Sequence, residues 1–384
     1  MSEPTIAGLA GRAMRWMGLG GAKGPVTLSG EGTAPPQPGP SVQAKEPQGG
    51  EGMTKPKIAL YWAASCGGCE IAVVQLYEKI LDVANAFEIV LWPCIMDFKY
   101  KDVEALPDKS IFLTLFNGAI RSSEQEHLAR MLREKSQVMA AFGSCSAFGG
   151  IPGLANVSDR QGVFDVSYRD TPSTDNPEGT RPQLSHQVPE GELTLPTFYD
   201  TVRALHQVVP VEYFIPGCPP DKKQIAAVVQ ALVEGNLPPP GSVIGANEKT
   251  VCDECPRTKE EKKVKAFYRT YEIIPDPEQC LIEQGILCMG MATRGGCDAA
   301  CLSANMPCRG CYGPPPGSTD QGTKFLSAVA SVIDSQDPAE IERILEGIPD
   351  PLGIAYMFGL PASLLRRRRM PEAVAAEVGA AQSS

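Results

Sequence analysis

Short apolar runs separated by stretches of helical period dominate the first two-thirds of the chain. The runs KIALYWA (57–63), FEIVLWP (87–93), SIFLTLFNG (110–118), QVMAAFG (137–143) and VEYFIPG (211–217) have the length and near-continuous apolarity of strands buried on both faces. Between them, Glu70–Ala84, Ser122–Lys135 and Asp221–Glu234 carry the helical pattern. Ser122 and Gln125 supply the Ser-x-x-Gln start of a capping box. Such alternation predicts an α/β fold built on a flavodoxin-like open parallel sheet. Residues 151–210 interrupt it with a polar segment, rich in Pro, Gly and Asp, that lacks a strong period. A loop of that length inside a compact domain is usually functional, and an interface is its expected use.

Periodicity fades over 250–316 and returns as TKFLSAVASVIDS and DPAEIERILEGI, followed by LGIAYMFGLPASLLRRRRM and an Ala-rich tail. The Arg366–Arg369 run reads as a solvated tail or a binding patch. At the other end, Ile6, Leu9, Ala13 and Trp16 recur at helical spacing ahead of a Gly/Pro-rich linker. A disordered extension and a partner-docking or membrane-surface helix all fit that stretch. The breaks divide the chain into an extension (1–53), the sheet domain (54–245), a loop-rich domain (246–316) and C-terminal helices with a tail (317–384).

The net charge of −10 argues against nucleic acid as a main partner, because phosphate binding needs a basic face. No apolar run reaches the roughly 18 residues of a membrane-spanning helix. Arg12 and Arg15 are separated and no apolar signal core follows, so neither a secretory nor a twin-arginine leader is read and the expected location is cytoplasmic. There the 13 cysteines, an odd number set against 3 histidines, argue for metal or cluster ligation rather than disulfides.

Four cysteines stand at strand ends. Cys66 and Cys69 form C-G-G-C after the first run, Cys145 lies in F-G-S-C-S-A-F-G-G after the fourth, and Cys218 lies in P-G-C-P-P after the fifth. Open α/β sheets bind ligands at the carboxyl ends of their strands. Four thiols delivered there suit a 4Fe–4S cluster or a structural zinc. Eight more come later as Cys252-x2-Cys255, Cys280, Cys288, Cys297-x3-Cys301 and Cys308-x2-Cys311. A sequential split into two sets of four is simplest, but interleaved ligation and a pair of zinc ribbons remain open. A segment with so little periodicity cannot build an apolar core by itself, so bound metal is expected to crosslink it. Cys94 is left over and reads as an inert buried thiol. Glu70, directly after the first pair, is a helix-start carboxylate or part of a proton route.

Taken together, C-G-G-C-E (66–70), G-S-C-x3-G-G (143–150) and P-G-C-P-P (216–220), joined to the eight-cysteine segment, resemble the small subunit of nickel–iron hydrogenases. C-D-E-C-P-R (252–257) and P-C-R-G-C-Y-G-P (307–314) are most similar to the cytoplasmic methyl-viologen-reducing subgroup. The resemblance covers about residues 54–316. It implies three 4Fe–4S clusters: a proximal one on Cys66, Cys69, Cys145 and Cys218, a distal one on Cys252, Cys255, Cys280 and Cys288, and a medial one on Cys297, Cys301, Cys308 and Cys311. It also implies an obligate large subunit holding the nickel–iron centre, and therefore no catalytic acid or base in this chain. A downstream ferredoxin, flavin or heterodisulfide-reductase-type acceptor would dock near the distal site, where Lys259, Lys262, Lys263 and Lys265 either steer an acidic carrier or form solvated surface.

Two positions depart from many relatives. Cys252 stands where a His is common, and an all-thiolate cluster should be harder to reduce. Cys301 offers a fourth medial ligand where a three-iron cluster with three cysteines is common. The related proximal-cluster subunit of respiratory quinone reductases is the alternative resemblance, against which Cys66-Gly-Gly-Cys69 and the 250–316 segment both speak.

Overall fold

In the computed structural model, residues 55–234, 238–260 and 263–365 are described. The N-terminal helix expected around Ile6–Trp16, the linker up to residue 53, Lys262 and Arg366–Arg369 lie outside the described residues.

Six strands form one parallel sheet: β1 (Lys57–Trp62), β2 (Glu88–Leu91), β3 (Ile111–Asn117), β4 (Ser136–Phe142), β5 (Tyr213–Ile215) and β6 (Ser242–Val243). Their order is β6-β5-β4-β3-β1-β2, with every pairing parallel. The order reverses between β1 and β3, which is the flavodoxin-like switch point that the alternating pattern leads one to expect. Successive residues of β1 serve opposite faces. Ile58 and Leu60 pack with Leu113, Phe142 and Ile215 under the helices Gly68–Val74 and Lys222–Glu234. Ala59 and Tyr61 pack with Phe116, Leu128 and Leu132 on the other face, under the helix Ser123–Lys135. That helix starts as the sequence predicts. Ser122 Oγ accepts from the Gln125 N–H at 3.4 Å while Gln125 Oε1 accepts from the Ser122 N–H at 3.2 Å.

Two expectations change in detail. The single helix expected over 70–84 is two, Gly68–Val74 and Lys79–Ala86. Tyr77 between them has φ 54°, a left-handed conformation that a helix of L-residues does not carry through. The aperiodic segment 151–210 contains the short helix Arg160–Asp165, an exposed hairpin (Ser185–Val188 with Gly191–Thr194) and the strand Phe198–Arg203, antiparallel to Ile120–Ser122. Elements this short leave no readable period. Asn156 anchors the segment, its amide donating to Val202 O and accepting from Val202 N–H at 2.9 and 2.7 Å.

The cysteine-rich segment shares one apolar core with the helices C-terminal to it. Val251, Leu281, Ile286 and Met289 pack against Phe325 and Val329 of the helix Gln321–Val332. Ile344, from the helix Pro338–Leu345, joins the same core. The C-terminal stretch then returns to the sheet unit. The Gly150 N–H donates to Phe358 O at 2.9 Å, and Gln207 Nε2 donates to Pro361 O at 2.7 Å.

Candidate iron–sulfur sites

Cys66 and Cys69 follow β1 and open the helix Gly68–Val74, Cys145 lies in the turn of helix (Ser144–Phe148) that follows β4, and Cys218 follows β5. All three segments leave the same edge of the parallel sheet, so the four thiols meet there. Burial pushes the Cys69 thiol up, and the charges of Cys145, Cys218 and Cys66 add to the effect. Cys145 is pushed up to about 12, by burial and then by Cys218. Thiols this crowded resist ionising together, and a cationic metal core relieves that repulsion. Two glycines make the approach possible. Gly143 has φ 84° and Gly150 has φ 58°, and a Cβ on either would collide with Cys69 Sγ or Cys145 Sγ respectively. Cys69 and Cys145 are buried while Cys66 and Cys218 are exposed, which leaves one side of the group open to the surface.

The eight later cysteines form two neighbourhoods. Cys252 is pushed up to about 12 by burial, then by the charges of Cys288, Cys280 and Cys255, with Lys259 opposing. Lys259 Nζ also donates to Cys252 O. Burial raises Cys288, which accepts from the Cys308 N–H at 3.4 Å. In the other neighbourhood Cys311 is pushed up to about 12 by burial and by Cys297 and Cys301. The Cys308 thiol, well above its ordinary value through burial, feels Cys288 and Cys311 and so borders both sets. Cys311 in turn borders the first group, since it feels the charge of Cys218.

Three thiol groups are therefore contiguous. The first neighbours the 297–311 group, since Ser144 beside Cys145 donates to Cys311 O at 2.5 Å, and that group neighbours the 252–288 group, since the Cys308 N–H donates to Cys288 Sγ at 3.4 Å. A zinc ion draws four sulfurs to about 2.3 Å of one centre, whereas a 4Fe–4S cluster takes each thiolate at a separate iron. The donor chemistry and the two glycine-lined thiols fit the cluster.

Glu70 is buried in the first turn of its helix, where Trp92 Nε1 and, at 3.5 Å, Asn117 Nδ2 donate to it. Burial raises its pKa against the lowering effect of those two hydrogen bonds. Cys94 corrects an expectation. It is exposed rather than buried, because β2 ends at Leu91 and the chain turns outward after the buried Trp92.

Two further residues belong to these sites. Ser144 Oγ donates to Cys311 O at 2.5 Å and accepts from the Gly217 N–H at 3.2 Å, tying together the segments that carry Cys145, Cys218 and Cys311. Arg257 is buried, and its guanidinium donates to Asp276 O, Gln279 O, Leu302 O and Asn305 Oδ1. It thereby braces the loops bearing Cys255, Cys280 and Cys301. Both residues lie within motifs legible in the sequence, but their acceptors are mostly backbone carbonyls, which carry no residue signature.

The pattern of the family described as "NADH ubiquinone oxidoreductase, 20 Kd subunit" matches residues 66–232. The chain is similar to an iron–sulfur subunit of the F420-non-reducing hydrogenase of Archaeoglobus profundus, 42% identical over 81% of this chain and 98% of that one. It is 38% identical to a vhu subunit of the F420-non-reducing hydrogenase of Methanococcus voltae, over 82% of this chain and 99% of that one. A solved [NiFeSe]-hydrogenase chain of Dm. baculatum aligns over 71% of this chain and 99% of that one, at 16% identity and a TM-score of 0.44.

Proposed function

The chain belongs to the family of F420-non-reducing hydrogenase iron–sulfur subunits, the nickel–iron hydrogenase small-subunit type, and from that membership we propose that it carries electrons between a large subunit's nickel–iron centre and a redox partner. The observation that carries this reading is the contiguity of the three thiol groups, since a relay needs each carrier beside the next. In this reading Cys66, Cys69, Cys145 and Cys218 hold the proximal cluster, Cys297, Cys301, Cys308 and Cys311 the medial one, and Cys252, Cys255, Cys280 and Cys288 the distal one. When bound, 4Fe–4S clusters at these positions supply one-electron carriers.

The chain's own residues hold and shield. Gly143 and Gly150 let backbone close on the proximal thiols, Ser144 sets the proximal segments against Cys311, and Arg257 braces the distal and medial loops. The large subunit is assigned to the proximal side. There the thiols Cys66 and Cys218 are exposed, and Trp62, Ile71, Val74 and Tyr77, on the strand and helix that flank Cys66 and the turn beyond, are apolar side chains left in solvent. Glu70 is held there by Trp92 and Asn117 as a candidate proton-carrying carboxyl. The acceptor, of ferredoxin, flavin or heterodisulfide-reductase type, is assigned to the distal side near Lys259. The sheet unit (54–245) and the cysteine unit (246–316) divide the work, with the helices from 317 onward sharing the latter's core. Among the described residues no helix is long and apolar enough to cross a membrane, and thirteen free thiols suit the reducing cytoplasm.

The quinone-reductase reading rests on the 20 Kd subunit pattern, which ends at residue 232, short of all eight later cysteines. Iron and acid-labile sulfide analysis of the anaerobically purified complex tests the proposal. About twelve irons and twelve sulfides per chain are expected, four at each four-thiolate site. Zinc without sulfide overturns it, and copurification with a quinone-reducing assembly instead of a nickel-bearing subunit selects the alternative.

A further inference from the structure

Tyr312 directly follows Cys311 and is 3% exposed, and its phenolic oxygen is buried with no hydrogen-bond partner. Native proteins seldom leave a buried hydroxyl unsatisfied, so such an atom points to an acceptor outside the polypeptide's own hydrogen bonds. The ionisable groups it senses are Cys297 and Cys311, then Asp221, whose backbone N–H also approaches the phenol oxygen and, as a donor, leaves the phenolic proton without an acceptor. The backbone is held on both sides of the ring. Ser144 Oγ donates to Cys311 O at 2.5 Å, the Arg294 N–H donates to Gly313 O at 2.9 Å, and Phe148 fills the space beside Gly313. A buried donor thus directly follows a thiol of the middle group on a held stretch of backbone.

We propose that the Tyr312 hydroxyl donates a hydrogen bond to sulfur at the Cys297–Cys311 group, either a cysteine thiolate or an inorganic sulfide, and thereby raises the reduction potential of the medial site alone. The inference rests on the reading of that group as a cluster site. A hydrogen bond to cluster sulfur withdraws electron density and favours the reduced, more negative form. Tyr312 therefore tunes the relay at its midpoint, where a shift changes how readily an electron passes in either direction.

Tyr312→Phe removes the donor and keeps the ring. In the intact complex, anaerobic potentiometric titration followed by electron paramagnetic resonance should show the medial midpoint moved to more negative potential, with the proximal and distal midpoints in place. Electron–nuclear double resonance of the unmodified complex, compared in H2O and D2O, should show an exchangeable proton coupled to the medial cluster, and the variant should lose it. Unchanged midpoints at full iron content overturn the hydrogen bond. So does the absence of an exchangeable coupled proton, a measurement that needs no variant. Iron short by one whole site in the unmodified complex overturns the cluster reading itself, so the two failures are told apart by the iron count.

Discussion

The sheet unit and the cysteine-rich unit carry grouped thiols on opposite kinds of scaffold. In the first, four thiols sit at the ends of strands whose two apolar faces are closed without help from metal. In the second, eight thiols are spread over loops and two single-turn helices, and the apolar core that steadies them is completed by helices later in the chain, around Phe325, Val329 and Ile344. A site placed on a preformed core can be empty and still be a site. A site built from loops depends on its contents for its shape.

Removing iron should break that symmetry most strongly. After anaerobic chelation, hydrogen exchange is expected to rise sharply across 250–316 and little across β1, β3 and β4. Equal loss in both regions would contradict the contrast. Next in size, Phe325→Ala should cost about 3–5 kcal/mol, as truncation of a fully buried aromatic does. Because Phe325 is 1% exposed in the shared core, the variant should also lower iron content at the two later sites. Phe116→Ala, equally buried in the sheet, should destabilise to a similar degree in denaturant titration while those two sites keep their iron until the sheet itself melts. Gly143→Ala is a finer probe. Its Cβ meets Cys69 Sγ at φ 84°, so metal analysis should show iron lost from the proximal site alone. The smallest effect is expected of Ser144→Ala, which removes a hydrogen bond across the seam at a cost of about 1–3 kcal/mol. It should weaken the magnetic coupling between the proximal and medial clusters without reducing iron content.

The sheet unit was legible because each of its strands is a buried apolar run, and the reach of a strand end is short. Reading Cys66, Cys69, Cys145 and Cys218 as one group needed only the parallel topology. The capping box at Ser122 was legible for the same local reason. What escaped depends on distance along the chain or on single torsions. Tyr77 breaks a pattern that is helical in its side chains, and Cys94 is exposed because the chain turns after Trp92. The segment 151–210 hides a helix and three strands in pieces too short to show a period.

The sequence by itself determined the fold class and the family, because these depend on local patterning and on motifs of residue types that have few other uses; the twelve thiols it offers to metal belong to the proposal. Only the tertiary structure decided how those thiols neighbour one another. The Cys308 N–H donates to Cys288 Sγ, and Ser144 reaches across 167 positions to the carbonyl of Cys311. The physical reason is that a carbonyl or a buried phenol carries no mark in the sequence of what it will face. The same holds for the helix Gln321–Val332, whose apolar side announces that it must be buried but not that it is buried against the cysteine loops.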